Sequence, residues 1–446
     1  MIEYKLLIAV LSGIGILLFL ILKMRLHAFI SLLIASILVG IIAGMDAAAI
    51  MKSVQNGMAN TLGFVATVVG LGAMFGAILE HSGGANVIAS FLVKKLGVQR
   101  APIAMVIAGF IVAIPVFFEV AFILLVPMIY ALQKKTGKSL LLYAIPLLAG
   151  LAVTHAFIPP TPGPIAVADI IGADLGWVIL IGFIVGFPTA IVSGLFFGKY
   201  IGNKIFVPVP FQQESSSSPL NIPPVSTVLT IIAIPIVLIL LSSFVNSGLL
   251  NIPSVMTVKI INLLGHPFSA LIIANMIAWY VLGIRQGFTR AQLLDITAKS
   301  MAPAGVIILI TGAGGVFKQI LVDTGAGKMI AESLAEIGFP VLLFSFIIAA
   351  LVRIIQGSAT VAMITSAGLV APIIMRIDAS NFELASIVIA IAAGASILSH
   401  VNDSGFWLVN QFLGMTEKQT FRSWTVMTTI LSLTGFLIIT VLNLIF

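Results

Sequence analysis

Runs of about 20 apolar residues recur along the whole of this chain, each long enough to carry a helix across the roughly 30 Å hydrocarbon core of a bilayer. Such runs favour a helical bundle over a transmembrane barrel, whose strands are shorter and alternate in polarity. Charge is correspondingly scarce: 8% of the 446 residues are charged, against about 25% in a soluble domain. The chain therefore reads as an all-α integral membrane protein, multi-pass and embedded in the lipid bilayer. Its first run, residues 6–22, follows Glu3 and Lys5 without a small-residue cleavage pattern, so a retained helix is expected there.

About ten full spans are expected, near residues 6–22, 27–44, 59–79, 139–168, 175–198, 225–245, 266–284, 301–321, 383–413 and 423–445. Two further apolar stretches are interrupted at their centres, 101–131 by Pro115 and 339–375 by Gly357 and Ser358, and are expected to dip in and return as re-entrant hairpins. With that parity, fifteen basic residues share one face, among them Lys23, Lys94, Lys95, Lys134 and Lys135. Only Lys5, Lys52, Lys259, Lys328 and Arg376 fall on the other. The excess marks the first face as cytoplasmic and places both termini outside. The net charge of +7 is then a matter of topology, and no nucleic-acid partner is called for. Asp46 to Gln55 and Phe288 to Ala298 are expected to be separate interfacial helices. The Pro- and Ser-rich segment 201–224 reads as a cytoplasmic linker between halves 1–200 and 225–446.

The halves resemble each other. FGAILEHSGG (75–84) matches FKQILVDTGA (317–326), EVAFI (119–123) matches TVAMI (360–364), and GLAVTH (150–155) matches GASILSH (394–400), in one order at offsets of 241 to 245 residues. Five spans lie between the two interrupted stretches, so the second copy is expected upside down. Inverted repeats of this kind are common among secondary transporters, whose substrate binds near the midplane between discontinuous helices.

Chemistry concentrates where helices must break. AIPVFFEVAF (113–122) sets Glu119 among aromatics, and VTHAFIPPTPGPIAVAD (153–169) packs four prolines into six residues, which no continuous helix tolerates. RIIQGSATVAM (353–363) and SHVNDSG (399–405) occupy the corresponding places in the second half, so 139–168 and 383–413 are expected to be broken helices. Unwound backbone survives in a membrane only inside protein or against a polar cavity. Helices restarting near Gly163 to Ile165, Ser358 to Thr360 and Ser404 to Gly405 would aim bare N–H groups into that cavity, an arrangement that attracts carboxylates. Asp403 is costly at such depth unless it carries a proton or a partner. Glu119 and Arg353 can pair with each other or serve substrate, and His155 and His400 stand at matching positions, where either can be structural.

Cysteine is absent, which excludes thiol catalysis, disulfides and thiolate metal sites. The Gly pairs at 83–84 and 314–315 follow no strand and lack a phosphate-loop lysine, so nucleotide binding is not supported.

HAFIPPTPGP (155–164), FFEVAFILLVP (117–127), GSATVAMIT (357–365) and SHVNDSGFW (399–407) together resemble the gluconate permease family, along nearly the whole chain. The resemblance implies a proton-coupled importer in the bacterial cytoplasmic membrane, without a cofactor and driven by the proton gradient. Its members take gluconate, idonate, fructuronate, glycerate or D-serine. It also implies membership of the wider ion-transporter superfamily, hence a homodimer whose transport domain moves against a scaffold as an elevator. Gluconate-type members usually carry His at the place of Thr161. On this expectation Arg353, Ser358, Thr360 and Ser404 hold the substrate carboxylate, with the backbone at Gly163 and Gly357. Thr154, His155, Pro160, Thr161, His400 and Asn402 face the hydroxyls, and Asp403 or Glu119 carries the proton. Two alternatives stay open: sodium coupling through Asn402 and Asp403, and a remote intramembrane metalloenzyme built on His155, His400 and Asp403, which lacks the compact ligand motif zinc prefers.

Overall fold

With no water in a bilayer core to bond peptide groups, apolar segments satisfy them internally as helices. The computed structural model describes residues 2–210, 223–250, 252–326, 329 and 339–445, and among these every regular element is helical. The first half comprises α1 (Ile2–Leu22), α2 (Ala28–Ala43), α3 (Ala47–His81), α4 (Gly84–Leu96), α5 (Ala101–Val112), α6 (Phe118–Thr136), α7 (Leu141–Phe157), α8 (Pro162–Ile171) and α9 (Leu175–Lys204). The second comprises α10 (Val225–Asn246), α11 (Val255–Gly265), α12 (Pro267–Gln286), α13 (Arg290–Asp323), α14 (Val341–Gln356), α15 (Ala359–Ile374), α16 (Asn381–Gly394), α17 (Ser404–Phe412) and α18 (Glu417–Ile445).

Among the described residues, seven helical segments are long and apolar enough to cross a membrane, with α7 and α8 counted together as Leu141–Ile171, or eight if the pair Gly84–Leu96 and Val98–Val112, bent by 116°, is one span. The expected crossings at 6–22, 27–44 and 383–413 are made of shorter apolar pieces, the first being Lys5–Ile21. Helix α2 has 16 residues, about 24 Å, and α16 and α17 have 14 and 9. The two expected interfacial helices are corrected: Asp46 caps Ala49 N and starts a 35-residue helix, and a capping box at Thr289 and Gln292 starts a 34-residue one. Nothing between Gln55 and Thr61, or between Ala298 and Met301, interrupts the backbone ladder, so these segments are the first turns of α3 and α13. Of the linker, 201–204 belong to α9, whereas 211–222 lie outside the described residues, as does Lys328.

Both Pro- and polar-rich breaks appear as interruptions. Pro159 forces Ile158 out of the helical region, to φ −119° and ψ 117°, and ends α7. Helix α8 then opens with Pro162 at its first position, where a missing N–H costs nothing. The second break spans Ala395 to Asp403, between α16 and α17.

Two packing groups surround the breaks. Helix α3 runs along α13, with α2 and α12 beside them, while α5 lies along α7 and α14 along α16. The last two contacts are backbone against backbone. A Cβ at Gly150 of α7 would stand 2.4 Å from Val106 O and 2.7 Å from Phe110 N, and one at Gly394 of α16 would stand 2.4 Å from Phe346 O and 3.1 Å from Ala350 N. Close approach of this kind is how helices associate where lipid is as apolar as leucine. The turns differ between halves: α14 and α15 pack side by side about Gly357, whereas α5 leans on α7 and touches α6 only sparsely.

Candidate functional site

Four helices begin at one place. The N-termini of α6, α8, α15 and α17 converge on a cavity with about 120 Å³ of free space, bounded by Phe118, Glu119, His155, Gly163, Arg353, Ser358, Thr360, Asp403, Ser404, Trp424 and Thr428 among others. Each N-terminus carries unpaired N–H groups and a partial positive charge of about half a unit, so the cavity is electropositive before any side chain is counted.

The one cation in the wall is Arg353, at the last turn of α14 and 4% exposed. Its Nη2 donates to Asp403 Oδ2 at 2.5 Å, while Nε and Nη1 are buried without a hydrogen-bond partner. Asp403 is 9% exposed and is the N-cap of α17, accepting from Gly405 N at 3.0 Å through Oδ1. The hydroxyl of Ser399 donates to the same Oδ2. Ser399 is fixed in turn: Trp424 Nε1 donates to its Oγ at 2.5 Å, Thr425 Oγ1 to its carbonyl at 2.5 Å, and its own N–H donates to Thr428 Oγ1 at 3.2 Å. Burying an ion pair is expensive, and this one survives because every oxygen of the carboxylate is engaged.

Ser358 is the N-cap of α15, accepting from Val361 N at 3.4 Å, and Gly357 before it holds φ 92°, the left-handed value that lets α14 end and α15 begin in one step. His155 closes α7, with its ring 6.3 Å from that of Phe117 and its Nδ1 buried and unpartnered. Glu119 lies exposed in the first turn of α6.

Other residues singled out from the sequence lie elsewhere. His400 Nε2 is 2.9 Å from Ile354 O, and Asn402 Nδ2 donates to Ile354 O and Ile355 O at 3.1 and 3.2 Å. Both thus cover the carbonyl end of α14, removing a negative pole from beside the cavity. Asn402 also packs its backbone on Gly357, where a Cβ would come within 2.3 Å of Asn402 O. Thr154 spends its hydroxyl on Phe110 O at 2.9 Å, and Thr161 spends its own on Ile158 O at 2.7 Å. Pro160 and Thr161 border a separate small gap against Gly72 of α3 and Pro115. Sequence reasoning missed Trp424 and Thr428, although SWT at 423–425 opens the final span with polar groups. Among the described residues no group of three or more His, Cys, Asp or Glu is placed to hold a metal ion.

Against known proteins, the model of the GntP family permease matches residues 4–445. The low-affinity gluconate transporter of Escherichia coli (strain K12) is 41% identical over 431 residues, covering 96% of each chain. A gluconate permease of Pseudomonas aeruginosa is 40% identical over 447 residues, covering 99% of this chain and 98% of that one. The Gnt-II system L-idonate transporter of E. coli is 39% identical over 447 residues, covering 98% and 99%. In fold, the chain is similar to the YdaH transporter of Alcanivorax borkumensis, with a TM-score of 0.65 at 16% identity over 89% of each chain. It is similar also to MtrF of Neisseria gonorrhoeae, with a TM-score of 0.65 at 14% identity over 94% and 96%. A family match over nearly the full length, with relatives near 40% identity that are all named as transporters or permeases, makes this multi-pass membrane chain a member of the GntP permease family.

Proposed function

We propose that the chain is a secondary transporter that imports a sugar acid, gluconate foremost, across the bacterial cytoplasmic membrane together with a proton. The observation that carries this reading is the convergence of four helix N-termini on a cavity whose wall holds a buried arginine with two bare nitrogens. Such a site prefers a carboxylate, and the buried, unpartnered His155 Nδ1 suits a hydroxyl of a sugar acid. The gluconate and idonate transporters among its relatives agree with that chemistry. In this reading Arg353, the amide at Gly163 and the hydroxyls of Ser358, Thr360 and Ser404 receive the carboxylate. Asp403 or Glu119 takes the proton, while His400, Asn402, Gly357, Pro160 and Thr161 shape the helix ends.

The matched backbone contacts at Gly150 and Gly394, 244 residues apart, support two inverted copies of one unit, 1–200 and 225–446. Elevator motion within a homodimer is part of the same proposal. Uptake of labelled gluconate into proteoliposomes, driven separately by pH and sodium gradients, tests the function. Accumulation is expected with the pH gradient alone, with competition by idonate, glycerate, fructuronate and D-serine ranking the substrates. Accumulation that needs sodium and ignores pH sinks the proton assignment.

Orientation has its own test, because the chain is naturally free of cysteine. A single Cys at the exposed Lys135 is expected to label only from the cytoplasm, and one at the exposed Lys259 only from outside. The opposite pattern inverts the topology.

A further inference from the structure

We propose that the substrate carboxylate and the carboxylate of Asp403 compete for the Arg353 guanidinium, so that a proton on Asp403 is the condition for binding, with Ser399 and Trp424 as positioning residues that hold the Asp403 carboxylate. The inference rests on the sugar-acid reading above and adds to it how proton and substrate are linked.

The geometry supplies the parts. Arg353 cannot shed its charge, and Asp403 is its partner at 2.5 Å. The empty site is therefore neutral, one cation against one anion. Adding an ionised substrate to that pair places two carboxylates on one guanidinium, and protonating Asp403 without substrate leaves the buried cation alone. Both mixed states carry an uncompensated charge in a site of which Arg353 is 4% and Asp403 9% exposed. When the proton and the substrate arrive together, the site is neutral again: the proton goes to an Asp403 oxygen, the Arg353–Asp403 ion pair breaks, and the substrate carboxylate takes the guanidinium. Release on the other side reverses each step. Only the empty ionised state and the loaded protonated state are neutral, so only these cross readily, which enforces one proton per monovalent acid and no net charge movement.

Ser399 matters because its hydroxyl donates to Asp403 Oδ2 and so holds the carboxylate that faces Arg353. Trp424 Nε1, donating to Ser399 Oγ at 2.5 Å, fixes the direction of that hydroxyl. The other titratable groups facing Asp403 are His400, which is engaged with Ile354 O, and Glu119 and His155 across the cavity. Helices α15 and α17 have no charged residue, and the cavity faces of α8 and α18 contribute none. Glu119 is exposed, and the ion pair of Arg353 is with Asp403.

The test is the affinity of the full-length protein in nanodiscs for gluconate, measured by calorimetry between about pH 5.5 and about pH 8.5. Wild-type affinity is expected to fall about tenfold per pH unit once Asp403 is ionised. Asp403→Asn is expected to bind with no such slope, and Ser399→Ala and Trp424→Phe to keep the slope while displacing the pH profile. A wild-type affinity that is flat over the range, or a slope that persists in Asp403→Asn and vanishes in Glu119→Gln, overturns the inference. Gluconate that fails to bind the wild type at any pH overturns the sugar-acid reading instead. The wild type alone gives a second check: uptake is expected to be indifferent to a membrane potential set with potassium and valinomycin, and uptake that follows the potential refutes the neutral-pair account.

Discussion

Arg353→Ala is expected to abolish gluconate uptake and to destabilise the protein by about 3–5 kcal/mol, the cost of leaving one member of a buried ion pair without the other. Asp403 would then face the cavity with only the Ser399 hydroxyl and Gly405 N to hold its charge. Uptake into proteoliposomes and thermal unfolding in detergent read the two effects separately. Arg353→Lys is expected to restore part of the stability but little transport, because an ammonium offers a point charge where a planar fork meets two anions in turn. The double variant Arg353→Met with Asp403→Leu removes both charges and is expected to regain most of the stability with no transport. Should Arg353→Ala unfold at the wild-type temperature, the pair is solvated and has no energetic role in the empty site.

The sequence made Asp403 and Arg353 visible for a simple reason: ionised groups in apolar runs are conspicuous, and so are prolines clustered as in 159–164. Those two signals located both helix breaks and three of the four N-termini now seen to converge. The fourth, α6, was legible as a turn after Pro115 but not as a wall of the same cavity, because which ends meet is a matter of tertiary packing. For the same reason the sequence ranked His400 and Asn402 with the substrate ligands, whereas their side chains cover the carbonyls of Ile354 and Ile355 across the break. Polarity announces that a residue needs partners; it does not say whether the partner is a ligand or the chain itself. Trp424 and Thr428 escaped notice because an aromatic and a threonine are ordinary in a final span. Continuous helices replaced the expected interfacial pieces at 46–55 and 288–298 because amphipathic patterning marks a helix's polar face without marking where the helix ends.

Gly150→Ala and Gly394→Ala are expected to lower stability to comparable extents, by about 1–3 kcal/mol or more, since each adds a methyl where none fits. At Gly150 the new Cβ would meet Val106 O at 2.4 Å, and at Gly394 it would meet Phe346 O at 2.4 Å. Both obstacles are helix backbone, which cannot rotate away as a side chain would, so the helices must separate and forfeit contacts along their length. Gly63→Ala is the control: nothing lies within 4 Å of its Cβ, and the helix there is expected to gain up to about 1 kcal/mol from the better helix former. Thermal unfolding of the three variants in one detergent decides the matter. If the halves are two copies of one unit, the paired glycines guard the same crossing, α5 on α7 and α14 on α16, and must fail together. Loss at Gly150 with tolerance at Gly394 would mean that the second half has relaxed its packing. The contact shared by the two halves would then be a coincidence of spacing, with no common architecture behind it.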